Sequence, residues 1–171
     1  VFSAWVLVQG LWLLALWWFV LVASRGEQAR VEQHEMLDHV AVHEIMSRNP
    51  VCAPAELDVA SFLELYVLRQ RWSSYPVVDS GGRVVGLVTL ERLRQVDPAA
   101  RQSVSLAEVA VPVTEVPTAA PTAPLEPLVA RLAASRVGRA LVFEGDRLVG
   151  LVSRSDVARC LERRALGRTG N

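Results

Sequence analysis

The 171-residue sequence contains no lysine, so all 18 of its positive charges are arginine. They are balanced by 18 acidic residues, which makes the formal net charge zero. A neutral chain without basic clusters argues against nucleic acid as a partner, because binding to a phosphate backbone depends on concentrated positive charge. We attach no function to the missing lysine, which is typical of a coding bias.

Cysteine and histidine are also scarce, with two and three residues respectively. Cys52 and Cys160 stand in an otherwise cytosolic-looking sequence, so we expect reduced thiols. His39 and His43 lie four residues apart, a spacing that can bind a metal from one helix face. However, Val40 follows His39 where the H-E-x-x-H motif requires a glutamate as general base. We therefore expect a solvated helical face here, and neither a catalytic motif nor a metal site.

No charged residue occurs from Phe2 to Ala23, where much of the 51% hydrophobic content is concentrated. About 20 helical residues span the roughly 30 Å hydrocarbon core of a bilayer. We predict a transmembrane helix over residues 1–24, and a secretory signal peptide is the weaker alternative because no basic segment precedes it. Arg25 and Arg30 follow the span, so the positive-inside rule puts the rest of the chain in the cytoplasm. The charged, proline-free residues 25–41 predict a helical linker.

The rest of the sequence contains an internal repeat. Leu148–Asp156 matches Val84–Arg92 without a gap, at a shift of 64 positions (150 − 86 = 64). The same shift lays Tyr75–Val78 over Arg139–Val142. Each copy predicts a hairpin of two apolar strands joined by a glycine-containing turn, followed by a hydroxyl residue that begins a helix. The continuous apolar runs favour strands that are covered on both faces.

Each copy is predicted to form a β-α-β-β-α unit. The expected boundaries are residues 42–97 for the first repeat and 98–164 for the second, with a disordered tail over 165–171. Asp58 and Ser105 are the predicted helix caps, because short polar side chains accept hydrogen bonds from the first helical N–H groups.

Upstream of the hairpins the two copies align at another shift. Residues 116–121 overlay residues 49–54 at 67 positions (116 − 49 = 67).

A single unit of about 60 residues buries only about 60% of the surface of its unfolded chain and is marginal alone. We therefore expect a mixed α+β (α/β) fold in which two sheets pack face to face with pseudo-two-fold symmetry.

These units resemble the cystathionine-β-synthase (CBS) domain. The resemblance rests on Pro76–Val78 in the second strand and on Gly86–Thr89 and Gly150–Ser153 in the third strand of each copy. It covers Val42–Arg164, and a tandem copy of this kind is called a Bateman module. In that family a Thr/Ser-x-x-Asp motif ends the third strand and holds an adenosine nucleotide. The resemblance therefore implies AMP, ADP or ATP as the ligand, with the aspartate on the ribose hydroxyls.

In this chain the motif reads Ser153-Arg154-Ser155-Asp156. The side chains that we expect to bind the ligand are Ser153, Ser155 and Asp156. A serine at a helix start offers unpaired N–H groups to a phosphate, and a carboxylate can accept two ribose hydroxyl hydrogens. Ser155 adds a hydroxyl donor. The alternative is a capping box in which Asp156 bonds back to Ser153. We expect the walls around the adenine at Val116, Pro117, Thr118 and Leu141. Arg139 and Arg154 are the candidates for contact with a phosphate.

The first copy departs from the motif. It reads Thr89-Leu90-Glu91-Arg92, with an arginine where the family has the ribose carboxylate. Such a site cannot hold a ribose in the family's manner, although Arg92 could face a phosphate. We therefore expect one nucleotide per module, bound by the second copy.

The apolar N-terminal stretch resembles the last transmembrane helix of site-2-type membrane zinc proteases that end in a CBS pair. The resemblance rests on Gly10–Trp12 and on the aromatic pair Trp18-Phe19. The zinc-binding H-E-x-x-H motif is absent, so the resemblance implies that zinc and any catalytic half lie upstream of Val1.

Together these observations predict a regulatory module that is tethered to the cell (inner) membrane, with its CBS repeats in the cytoplasm. We expect it to sense an adenine nucleotide, to modulate an intramembrane zinc protease and to form a homodimer, without performing chemistry itself. Two alternatives remain open at this point. One is the nucleotide-sensing tail of a transporter or channel, and the other is a CBS pair that binds nothing and serves as a dimerisation scaffold.

Overall fold

The computed structural model describes residues 40–168 of the chain. Its strands fall into two sets that follow the sequence repeat. They are β1 (Ser47–Arg48), β2 (Ala53–Pro54), β3 (Ser74–Val78), β4 (Val84–Thr89), β5 (Val111–Pro112), β6 (Thr118–Ala119), β7 (Arg139–Glu144) and β8 (Arg147–Ser153).

The helices are mostly short and lie between these strands. They are α1 (Val42–Ile45), α2 (Val59–Phe62, continued by a π-helical turn over Leu63–Val67), α3 (Leu90–Arg94), α4 (Leu106–Val109), α5 (Leu125–Ala134) and α6 (Arg154–Arg168). Short 3₁₀ turns cover Pro98–Ala100 and Val113–Glu115. Two of the predicted caps are confirmed. Asp58 accepts a hydrogen bond from the Ser61 N–H at 2.8 Å, and Ser105 forms a capping box with Glu108.

The eight strands form two four-stranded sheets that exchange an edge strand between the repeats. One sheet has the order β1-β8-β7-β6 and the other β2-β3-β4-β5. Ser47 of the first repeat therefore pairs with Leu151 of the second, and Val111 of the second pairs with Leu87 of the first. The two registers are equivalent, since 111 − 47 = 64 and 151 − 87 = 64. This reciprocal exchange has the predicted pseudo-two-fold character.

The pairings also correct the second sequence shift. Ala53 pairs in parallel with Val77, and Thr118 pairs in parallel with Leu141. These equivalent positions differ by 65 residues (118 − 53), so the predicted shift of 67 is wrong. Matching the prolines of the two segments gives an alignment that is two positions away from the structural one. The strand pairing shows which alignment is correct.

The core between the two sheets contains residues from both repeats. Its buried members are Leu87, Val111, Val116, Leu141 and Leu151. The central part of β4, from Gly86 to Val88, is buried, and so is the corresponding part of β8, from Gly150 to Val152. The predicted double coverage is therefore confirmed for these central parts, whereas Val85, at 37% exposure, lies outside it.

Two predicted boundaries differ from the structure. The helical linker was expected to reach residue 41, but Ala41 is extended (φ −88°, ψ 149°), because it is the N-cap of α1 and its N–H donates to the Glu44 carboxylate. The disordered tail was expected from residue 165, but α6 continues to Arg168. Alanine, leucine and arginine favour helix, so nothing stops α6 at Arg164.

The predicted transmembrane helix over 1–24 lies outside the described residues, as do residues 25–39 of the linker and 169–171 of the tail. Within residues 40–168, no helix combines the length and the apolar character that crossing a bilayer requires.

Two equivalent glycines are required at the exchanged strands. A Cβ at Gly86 would lie 2.6 Å from the carbonyl oxygen of Val111, and a Cβ at Gly150 would lie 2.5 Å from the Met46 sulfur. In both cases the close neighbour belongs to the segment that comes from the other repeat. The exchange therefore places a backbone carbonyl against Gly86 and a flexible side chain against Gly150.

The two glycines should tolerate alanine differently. Gly86→Ala should destabilise the protein by about 1–3 kcal/mol, because the Val111 carbonyl is held in a strand and cannot retreat. Gly150→Ala should cost less, because the flexible Met46 side chain can move. The free energy of unfolding from denaturant titration measures both. Gly167→Ala, which meets no atom within 4 Å, is the control. Equal losses at Gly86 and Gly150 would contradict this account.

Candidate functional site

A cavity lies where β8 passes into α6, and we call it the β8–α6 cavity. It encloses about 270 Å³. Both repeats contribute to its lining, which consists of Ser47, Pro50, Val51, Arg71, Trp72, Ser73, Ser74, Arg139, Leu151, Ser153, Ser155, Asp156 and Arg159. Four of the eight predicted site residues are therefore brought together here, namely Ser153, Ser155, Asp156 and Arg139.

Ser153 and Asp156 form a closed hydrogen-bonded pair. Ser153 donates to Asp156 Oδ2 from its N–H at 2.8 Å and from its hydroxyl at 2.6 Å, and the Asp156 N–H donates to Ser153 Oγ at 3.2 Å. Both residues are only 8% exposed. The capping box considered from the sequence is thus formed. It starts α6 at Arg154 and fixes the carboxylate beside the cavity.

The other carboxylate oxygen of Asp156 is also engaged. Oδ1 accepts a hydrogen bond from Arg159, one turn further along α6, and the two residues form an ion pair. Sequence analysis missed Arg159. The signal was present as an Asp-x-x-Arg spacing, which places the two side chains on the same face of a helix.

Arg139 joins the two repeats at the cavity. Its guanidinium donates to the hydroxyls of Ser73 at 2.9 Å and Ser74 at 3.3 Å, both from the first repeat, and to the Gly138 carbonyl at 3.0 Å. Burial lowers the pKa of Arg139 from its ordinary value; the Asp156 carboxylate opposes this shift, and Arg154 adds to it. An arginine nevertheless stays charged at neutral pH. The cavity therefore contains a fixed, half-buried cation.

The charges around the cavity favour an anionic ligand. Arg71, Arg139 and Arg159 contribute three positive charges, and Asp156 contributes the single negative charge, so the formal sum is 3 − 1 = +2. Low-dielectric walls strengthen such a field relative to water.

The remaining four predicted site residues do not line this cavity. Val116 and Leu141 are buried in the core between the sheets, Pro117 accepts a hydrogen bond from the Leu141 N–H, and Thr118 is exposed in β6. Strand exchange is the reason. β1 pairs with β8, and so the segment beside Ser153 is the one after β1, which includes Pro50 and Val51.

The arginine candidates of the motif have structural partners. Arg154 donates to the Leu132 carbonyl at 3.0 Å and the Ser135 carbonyl at 2.6 Å, so it caps the C-terminal end of α5. Arg154 lines a neighbouring cleft and not the β8–α6 cavity, so its phosphate role stays a prediction. In the first copy, Arg92 Nε donates to the Val109 carbonyl at 2.7 Å and closes the end of α4.

The cysteines and the described histidine form no metal site. Cys52 and Cys160 are free thiols, and burial raises the pKa of the Cys52 thiol. His43 is exposed and its Nδ1 lies 3.1 Å from the Pro121 carbonyl, whereas His39 lies outside the described residues. Across residues 40–168, no three histidine, cysteine, aspartate or glutamate side chains cluster in a way that could hold a metal ion.

The two exchanged sheets and the repeated β-α-β-β-α unit define a tandem module of two equivalent domains. The CBS domain family model matches residues 42–98 and 106–163, and the chain belongs to this family. The solved CBS domain of a bacterial CNNM/CorC family Mg²⁺ transporter in complex with ATP is similar in fold, with a TM-score of 0.67 at 22% sequence identity. That match covers 80% of this chain and 97% of the transporter domain.

Two curated relatives are zinc metalloproteases by name. Rip3 of Mycobacterium tuberculosis is 41% identical over 162 residues, which are 94% of this chain and 41% of the relative. MJ0392 of Methanocaldococcus jannaschii is 23% identical over 143 residues, which are 84% of this chain and 38% of the relative. The chain thus spans about two fifths of the length of these relatives. The resemblance to a CBS pair of a site-2-type zinc protease, drawn from the sequence, is confirmed.

The Ser153–Asp156 pair should behave as one unit in a double-mutant cycle. Ser153→Ala and Asp156→Ala should each destabilise the protein by about 1 kcal/mol, the usual effect of losing an N-cap. The double variant should lose less than the sum, by about 0.5–1 kcal/mol, because both changes remove the same hydrogen bonds. Urea titration followed by circular dichroism measures the cycle. Strictly additive losses would show that the two residues stabilise the protein independently and do not act as one unit.

Proposed function

We propose that this chain is a regulatory CBS module that binds an adenine nucleotide in the β8–α6 cavity. The observation that carries the proposal is the buried Asp156 carboxylate, held by Ser153 at a cavity with an excess of arginine. A carboxylate in this position can accept the hydroxyl hydrogens of a ribose. The surrounding arginines supply partners for phosphate oxygens.

The size and charge of the cavity support a phosphorylated ligand. Its volume of about 270 Å³ is close to the lower end of the roughly 300–1,000 Å³ that small-molecule sites occupy. A base and ribose would fill most of it, and the phosphates would extend toward Arg71 and Arg139. A cationic adenosine derivative such as S-adenosylmethionine would meet the same positive field and is disfavoured.

The family relatives support a protease as the regulated partner. At 41% identity, the Rip3 match carries more weight than the transporter domain, whose 22% identity supports only a shared fold. We infer that the module follows the last membrane span of a site-2-type zinc metalloprotease in the cell (inner) membrane and lies on the cytoplasmic side. The transporter tail and the dimerisation scaffold are the alternatives. The scaffold is favoured by one observation, since Asp156 already serves as a helix cap.

The partner can be tested by reading the gene upstream of Val1. We expect an H-E-x-x-H motif within a hydrophobic segment, the arrangement in which two histidines bind zinc and the glutamate acts as base. A set of transport-type membrane helices without that motif would favour the transporter alternative.

Nucleotide binding should depend on Asp156 and not on Thr89. In calorimetry, AMP and ATP should release heat on binding, and S-adenosylmethionine should bind more weakly. Asp156→Ala should weaken nucleotide binding at least tenfold, about the value of one hydrogen bond to a charged group. Thr89→Ala is the matched control, because Thr89 begins the equivalent helix of the first repeat and lines a different cleft. The absence of heat with every ligand would favour the dimerisation scaffold.

A further inference from the structure

The two partners in the ion pair at the cavity are unequally buried. The Asp156 side chain is 8% exposed, whereas that of Arg159 is 63% exposed. Asp156 is also fixed by three hydrogen bonds with Ser153, whereas the hydrogen bond of the Arg159 guanidinium within residues 40–168 is to Asp156. Arginine has a long flexible stem, and ion pairs of an exposed arginine are weak. The arginine is therefore the partner that can move.

Arg159 stands between two cavities. It lines the β8–α6 cavity, and it also lines a second cavity of about 380 Å³ that includes Glu44, Cys160 and Arg163. From this position its guanidinium can rotate away from Asp156 without leaving the site. An anion inside the β8–α6 cavity can then replace Asp156 as the ionic partner of this guanidinium.

Competition for Asp156 distinguishes between possible ligands. Both carboxylate oxygens are engaged, Oδ2 by Ser153 and Oδ1 by Arg159. A carboxylate has about four acceptor positions, and the three hydrogen bonds from Ser153 and Arg159 leave one, on Oδ1. A ribose that donates both of its hydroxyls to Asp156 must therefore displace Arg159 from Oδ1.

With an uncharged nucleoside no ligand anion replaces Asp156, and the guanidinium can turn only to Glu44 in the second cavity, whose carboxylate already accepts a hydrogen bond from the Ala41 N–H. This exchange is unfavourable in a cavity that also contains the cation of Arg139. With a phosphorylated nucleotide the guanidinium gains a phosphate oxygen as a new partner, and the exchange is balanced.

We propose that Arg159 is a specificity-determining residue that makes ribose capture by Asp156 conditional on a phosphate group. This inference rests on the proposed function, because it assumes that an adenine ribose occupies the cavity. It adds a reason why adenosine binds poorly. Arg159 competes with the ribose for the Asp156 carboxylate, and the size of the cavity is not the limit.

The test is a calorimetric titration of the whole 171-residue chain with ADP and with adenosine, in a mild detergent because residues 2–23 carry no charge. The wild-type chain should bind ADP and discriminate strongly against adenosine. Arg159→Gln should weaken ADP binding about tenfold and strengthen adenosine binding severalfold, so that the preference for ADP falls at least thirtyfold. Arg163→Gln is the matched control. It removes the same charge from the same helix but does not line the β8–α6 cavity, so the preference should be unchanged.

Each other outcome decides a different point. If Arg159→Gln weakens both ligands equally, or leaves the preference unchanged, the inference is overturned while the proposed function survives. If neither the wild-type chain nor any variant binds either ligand, the proposed function is overturned and the inference with it. Should Arg159→Gln fail to fold in a thermal melt, Arg159→Lys replaces it. Lysine keeps the charge but loses the planar fork, so the preference for ADP should fall by a smaller factor.

Discussion

The antiparallel pairing of β1 with β8 is the contact on which the rest of the structure depends. It involves only Ser47, Arg48 and their partners Leu151 and Gly150, and its counterpart joins β5 to β4. Neither repeat is large enough to bury a sufficient core alone. Because each repeat completes the sheet of the other, the apolar strands of both are covered, and the common core at Leu87 and its neighbours can form.

The same pairing builds the site from both repeats. β8 ends at Ser153, and the segment that leaves β1 supplies Pro50 and Val51 to the lining of the same cavity. If a nucleotide binds there, it contacts the stretch of chain that leads directly from α1 and the residues before it. A ligand shifts an equilibrium only through contacts that differ between two states. Contacts between a nucleotide and Pro50 that differ between two states would act on the segment that connects this module to the preceding part of the protein.

Sequence analysis predicted the features that depend on neighbouring residues. The hairpins and the caps at Asp58 and Ser105 follow from residues close in the chain. The hairpin pattern also occurs in both copies of the repeat, which strengthened its prediction. The exchange could not be predicted in this way, because β1 contains two residues and its partner lies about 100 positions away. The error at Val116 has the same cause: the repeat offered two equivalent segments, and only the tertiary pairing decides which one faces Asp156.

The two copies have diverged at equivalent positions, and the divergence gives them different side chains beside their clefts. Tyr75 is fully buried, edge-on to Phe62 at 5.0 Å between ring centroids, and its hydroxyl has no hydrogen-bond partner among residues 40–168. Its equivalent is Arg139, whose cation faces the β8–α6 cavity. Likewise Arg92, which closes the end of α4, stands where the second copy has Asp156. In the first copy both positions serve packing and helix capping. In the second copy they present a cation and a carboxylate to one cavity, which is the pair of charges on which the proposed function rests.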